Sequence, residues 1–173
     1  MERNNGMRPQ DVAILLKLLL WQHRNWHKKD LAADLFLSPA EVGHSLNRSQ
    51  LAGLVDPAQK KLMKNAFTEF LLHGFAYVFP VKTGSLTIGV PTAYSAPVLS
   101  QHIVSAENVV WPFPEGSMKG QAVPPLYKGA IKASLKDERF YDLLCLCDTL
   151  RIGRLREKQK AKELLEEQIH QPL

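Results

Sequence analysis

Two cysteines, Cys145 and Cys147, are the whole thiol inventory of the 173 residues, which excludes a disulfide framework. They stand in FYDLLCLCDTLRIG, an apolar stretch that reads as helix, where positions i and i+2 point to different sides. The spacing argues against a disulfide or a metal pair and for two small buried hydrophobes in a reducing compartment. Long apolar runs are also missing. VAILLKLLLW is broken by Lys17, preceded by Asp11 and followed by Gln22-His23-Arg24, so it resembles neither a bilayer span nor an export signal, and a cytoplasmic protein is expected. There is no phosphate-binding glycine loop, no zinc-protease helix motif and no nucleophile elbow. His23 and His27 have the i, i+4 spacing of helical metal ligands, but they straddle a turn and lack a carboxylate or cysteine partner to complete a tetrahedral set. His73, in EFLLHGF, reads as a hydrogen-bonded, half-buried histidine. The sequence therefore predicts no metal, no cofactor, no catalytic constellation and no enzyme.

The chain does hold an ordinary globular complement, 45% apolar and 23% charged, which excludes global disorder. Its formal net charge of +5 suits an anionic partner such as nucleic acid. The excess is unevenly spread. Residues 1–57 carry seven Lys or Arg against six Asp or Glu, residues 58–128 six against three, and residues 129–173 nine against eight. The dense run from Arg151 to Lys162 reads as a solvated helix face supported by i, i+4 pairs.

The strongest motif is KDLAADLFLSPAEVGHSLNRSQLAGLV, residues 29–55. Leu31, Ala32 and Leu35 mark a short helix, and Phe36-Leu37 a corner. Ser38 is placed to cap a second helix, with Pro39 at its first position and Glu41 completing a capping box. Val42 and Leu46 form the buried stripe, while Ala40, Gly43, His44, Asn47 and Arg48 face away from it. Gly53 closes the helix and Leu54-Val55 resumes as β-prone sequence. This segment resembles the core of bacterial winged-helix transcription regulators, MarR-like and related families, over about the first third of the chain. The resemblance implies a recognition helix, residues 39–52, lying in the major groove. Asn47 and Arg48 suit bidentate contacts to adenine and guanine, and Ser38, Ala40, Gly43 and His44 share the exposed face. Lys28, Lys29 and Lys82 are the expected phosphate contacts. Ser49 stands where related motifs carry an apolar residue, so the last turn is expected either to be packed less tightly or to lie under another element.

Elsewhere residues 1–7 read as a polar tail, and Pro9 opens a helix whose broad apolar face could pack on the motif and on a second surface. AQKKLMKNAFTEFLLHGF reads as a further helix, with Leu62, Ala66, Phe70 and Leu71 on one face, stopped near Gly74. AYVFPVKTGSLTIGVP then reads as a β-hairpin turning at Lys82-Thr83-Gly84-Ser85, a wing displaced by that helix. Residues 91–125 read as a Pro/Gly-rich segment wrapping the fold, anchored by Tyr94, Trp111, Phe113 and Tyr127. Helices are expected again at AIKASL, at KDERFYDLLCLCDTL and from Arg154 to about Ile169. The fold class is mainly α with a small β component: a winged helix-turn-helix over 1–57, the helix, hairpin and wrapping segment over 58–128, and a helical region over 129–173 suited to dimerisation. The function expected is a sequence-specific double-stranded DNA-binding regulator, a homodimeric repressor. The alternative is a winged-helix protein-interaction module, antitoxin-like or scaffolding, favoured by the near-neutral charge of residues 1–57.

Overall fold

The computed structural model describes residues 5–58 and 60–171, so part of the expected N-terminal tail, residues 1–4, lies outside the described residues. The protein is mainly helical with one small sheet. Helix α1 (Pro9–Leu20) begins with a proline whose missing N–H is not needed there, and the Asp11 carboxylate accepts from the backbone N–H of Arg8 at 2.8 Å. Every residue from Asp11 to Leu19 is buried. The reason is that α1 is gripped on two sides, by α3 (Pro39–Leu51) and by α8 (Glu138–Ile152). The broad apolar face read from the sequence is therefore consumed inside the chain rather than left for a second copy.

Helix α2 (Lys28–Leu35) ends at Phe36, which adopts a left-handed conformation (φ 55°), and three residues later α3 starts. Ser38 and Glu41 form the expected capping box: the Glu41 N–H donates to Ser38 Oγ at 3.2 Å and the Ser38 N–H to Glu41 Oε2 at 2.8 Å. Val42, Ser45, Leu46 and Ser49 make the buried face of α3, and Gly53 (φ 75°) turns the chain out of it. The chain then folds back at once. Val55 and Leu62 form an antiparallel bridge, the Met63 N–H donates to the Leu54 carbonyl at 2.9 Å, and the Asp56 N–H to the Lys61 carbonyl at 2.8 Å. This short ladder takes up residues assigned above to the next helix, which instead starts later as α4 (Lys64–His73).

Gly74 interrupts that helix only briefly, because α5 (Phe75–Val78) restarts it, and Phe70, Phe75 and Phe79 stack edge to face across the joint. The hairpin expected over residues 76–90 does not form. Residues 79–85 are irregular, and β1 (Leu86–Pro91) finds both of its partners far along the chain. After a 3₁₀ turn at Ala93–Ser95 and the short α6 (Pro97–Ser100), β2 (Val109–Pro112) pairs antiparallel with the end of β1 and β3 (Met118–Ala122) antiparallel with its start. The strands β2 and β3 also pair with each other in parallel, so the three close on themselves. Such closure needs glycine at the crossing. A side-chain carbon on Gly89 would stand 1.9 Å from the Trp111 carbonyl oxygen, and one on Gly116 2.1 Å from the Gly89 carbonyl carbon. The wrapping segment is thus partly sheet, and of its aromatic anchors Tyr94, Trp111 and Tyr127 are buried while Phe113 is half-buried.

Helices α7 (Ala130–Ser134), α8 and α9 (Leu155–His170) follow the expected positions, and Asp137 caps α8 by accepting from the Phe140 N–H at 3.1 Å. Cys145 and Cys147 are fully buried free thiols. One hydrophobic core runs from Val12 to Ile169 through all three sequence regions. Two buried charges stitch it together. Lys17 Nζ pairs with Asp34 on α2 and, at 2.7 Å, with Asp137, and it sits 4.6 Å from the centre of the Phe140 ring. Asp148 accepts from Thr92 Oγ1 at 2.8 Å, Trp111 Nε1 at 2.6 Å and Arg151 Nη1 at 3.0 Å, fastening the sheet to α8. Arg151, read above as the start of a solvated run, is instead withdrawn into this cluster, where its Nε also donates to the Phe79 carbonyl at 2.9 Å. Among the described residues no helix is long and apolar enough to cross a membrane.

Candidate nucleic-acid interface

The outer surface of α3 is the face that the motif offers to a partner. Its inner stripe is spent on α1 and α2, which leaves Ala40, Glu41, His44, Asn47 and Leu51 exposed at the spacing of one helical face. Ser38 and Ala40 are exposed at its N-terminal end. Gly43 is half-buried beneath Lys28, whose Nζ lies 3.5 Å from where a side-chain carbon would stand. The chain thus brings Lys28, from the first turn of α2, directly beside the exposed face of α3. Lys29 is exposed one position further along α2.

Arg48 is half-buried and lines the cleft on the outer side of α3 together with His44 and Asn47. Its guanidinium turns back onto Asp11 of α1, donating from Nε to Oδ2 at 2.8 Å and from Nη2 to Oδ1 at 2.7 Å. That bidentate pair, reinforced by the side-chain hydrogen bond in which Asp11 accepts, holds the Arg48 proton more firmly than usual. The Nε–Nη2 edge is thus engaged inside the chain, which leaves Nη1 as the group Arg48 can offer to guanine. No local pattern records this pairing, because Asp11 lies 37 residues away. Ser49 is buried, and among the described residues neither its hydroxyl nor that of Ser45 has a hydrogen-bond partner.

Beside Arg48 the fold adds residues that sequence reasoning left in the tail or in α1. Asn5, Arg8 and Gln10 join His44 and Asn47 around a cleft of about 370 Å³ along the outer side of α3. Their amides and the Arg8 guanidinium can donate to base edges or phosphate oxygens. Glu41 lines the same cleft, and its carboxyl is held below its ordinary value by the backbone N–H and then the hydroxyl of Ser38. A partner therefore meets a mixed polar surface with one fixed negative charge. Lys82 is exposed in the irregular stretch before β1. It has no hairpin to present it, so the wing-tip role expected of it is withdrawn. His23, His27 and His73 are all exposed, the last contrary to its expected half-burial, and among the described residues no group of three or more His, Cys, Asp or Glu could hold a metal ion. Comparisons with protein-family models, with curated proteins and with solved structures returned no match.

Proposed function

We propose that the protein is a winged helix-turn-helix regulator that binds double-stranded DNA by laying the exposed face of α3 in the major groove. The observation that carries this reading is the order α1, α2, three-residue corner, capped α3, then the antiparallel pairing of residues 54–56 with 61–63. A wing occupies that last position in the resembling family, so the missing wing of the sequence reading has a counterpart immediately after α3. Asn47 and His44 are the base-edge candidates, with Ser38, Ala40, Arg8, Lys28 and Lys29 as backbone contacts. A homodimer on a two-fold site and repression by occlusion complete the proposal, and it assigns the chain no catalytic role. The test is binding of fluorescent duplexes, one from the DNA upstream of the protein's own gene and one of random sequence, in about 50 mM salt. The expected result is tighter binding of the upstream duplex; binding to neither overturns the reading.

A second reading has a specific observation in its favour. Leu51, 69% exposed, and the ionised Glu41 share the face that would meet DNA, and both suit a protein surface better than a phosphate-lined groove. On that reading α3 docks an apolar and basic partner patch. Loss of partner binding in Leu51→Lys, with duplex binding absent in wild type, would select it.

A further inference from the structure

A further concentration of unbalanced charge lies away from the exposed face of α3. The turn after α1 and the ladder after α3 face each other across a groove of about 690 Å³, within the range of sites for small ligands. Four cations line it, Arg24 from the turn and Lys60, Lys61 and Lys64 from the ladder and the start of α4, with His23 beside them and no acidic side chain among the lining residues. None of these four makes an ion pair among the described residues. Arg24 is held in place by stacking, its guanidinium carbon 4.2 Å from the centre of the Trp21 ring, which leaves its hydrogen-bonding edge uncommitted. Half-buried Trp26 contributes an aromatic surface to the same wall.

Cations brought together without counter-charges repel one another, and a bound anion relieves that repulsion. Four of them around one groove call for several negative charges close together, as in successive phosphates. The indole adds a platform for a flat ring. We propose that this groove binds phosphate groups carried by nucleotides, with Arg24, Lys60, Lys61 and Lys64 as the phosphate ligands and Trp26 as the surface against which the base or sugar rests. Those phosphates have two sources, a nucleic-acid strand or a free nucleoside polyphosphate. The first source rests on the DNA-binding reading above; the second is independent of it.

The experiment uses the full chain, wild type and the variant Arg24→Ala/Lys61→Ala/Lys64→Ala, in which Arg24 and Lys61 are exposed and Lys64 half-buried; matching circular dichroism melts establish that it is folded. One arm titrates random-sequence duplex at several salt concentrations, and the other titrates ATP by calorimetry up to about 1 mM, an ordinary nucleotide range. If a nucleic-acid strand is the source, the variant loses about three from the slope of log affinity against log salt, about one for each phosphate contact removed. An Arg154→Ala/Arg156→Ala/Lys158→Ala control keeps the slope. If a free nucleotide is the source, ATP binds wild type and the variant weakens it at least tenfold, and Trp26→Leu weakens it further than it weakens inorganic tripolyphosphate. Absence of binding in both arms, or binding that the triple variant leaves unchanged, overturns the proposal. Failure of the α3 reading is separately visible, because His44→Ala and Asn47→Ala would then leave duplex selectivity untouched while the groove variant still changed affinity.

Discussion

Arg48 and Asp11 form a two-point ion pair, 2.8 and 2.7 Å long, that locks α3 onto the first turn of α1. Asp11 is completely buried and Arg48 nearly so. Removing the arginine strands a buried carboxylate, so Arg48→Ala is expected to cost about 3–5 kcal/mol of stability in chemical denaturation. Replacing both partners by apolar residues, Asp11→Leu/Arg48→Met, should recover most of that loss. A cost below about 1 kcal/mol for Arg48→Ala would show that the pair does not hold the helices together.

Ser45 and Ser49 pose the opposite case. Their hydroxyls are buried on the inner face of α3 without a hydrogen-bond partner among the described residues, and a buried polar group left unpaired costs stability. Alanine is also the better helix former. Ser49→Ala and Ser45→Ala are therefore expected to be stabilising by about 0.5–1 kcal/mol each. A melting temperature that falls in both variants would count against unpaired burial.

Acid sensitivity has an identifiable contributor. Burial pushes the Asp137 carboxyl upward, but the Lys17 hydrogen bond and the Phe140 N–H outweigh it and hold the group below its ordinary value of 3.8. A carboxylate lowered in the folded state adds stability that is present above the ordinary value and lost as the pH falls through the lowered one. Asp137→Asn keeps a good helix cap and removes only the charge. The stability difference between wild type and Asp137→Asn is expected to be largest near neutral pH and to shrink as the pH falls below the ordinary value of 3.8 and through the lowered one. A difference that stays constant across the range would refute the linkage.

Cys145 and Cys147 have no exposed surface, and burial, followed by the charge of Asp148, pushes both thiols well above their usual range. The thiolate is the reactive form. Native protein should therefore be inert to a thiol-colouring reagent at neutral pH and release two equivalents of colour when unfolded. Rapid native labelling of either residue would place it outside the core.

Helices could be read from the chain wherever the signal was local. The box at Ser38 and Glu41, the prolines at 9 and 39, and the cap at Asp137 each act within three or four residues, and each helix they open is present. The strands were misread because β1 pairs with residues 109–112 and 118–122 rather than with its neighbours in sequence, and nothing in a short window records that. The early ladder was hidden for another reason. AQKKLMK consists mostly of good helix formers, and it is the backbone bonds across Asp56 to Lys61 that override that preference. Lys17 and Asp11 looked like interruptions of an apolar run until their partners, 120 and 37 residues away, came into contact with them. At the candidate site the exposed positions Ala40, His44 and Asn47 were legible from helical period alone, whereas the pairing of Arg48 with Asp11 and the approach of Arg8 to the cleft arise from tertiary contacts.

Base reading on α3 now rests on Asn47 and His44, and the two can be separated from general electrostatics. A contact to a base edge distinguishes one sequence from another, whereas a phosphate contact strengthens all sequences alike. Asn47 lies exposed on the cleft that Arg8 and Gln10 border, while Arg154 lies exposed before α9, remote from it in sequence. Asn47→Ala is expected to weaken binding to the upstream duplex by about 1–3 kcal/mol and to leave random duplex nearly unchanged. His44→Ala should act in the same direction. Arg154→Ala should leave the gap between the two duplexes intact, and so should Lys82→Ala, since Lys82 has lost its hairpin. Salt-dependent titrations of the four variants read all of this at once. If Asn47→Ala and His44→Ala bind as tightly and as selectively as wild type, α3 does not read bases, and the protein-partner reading of its Leu51 face becomes the better account.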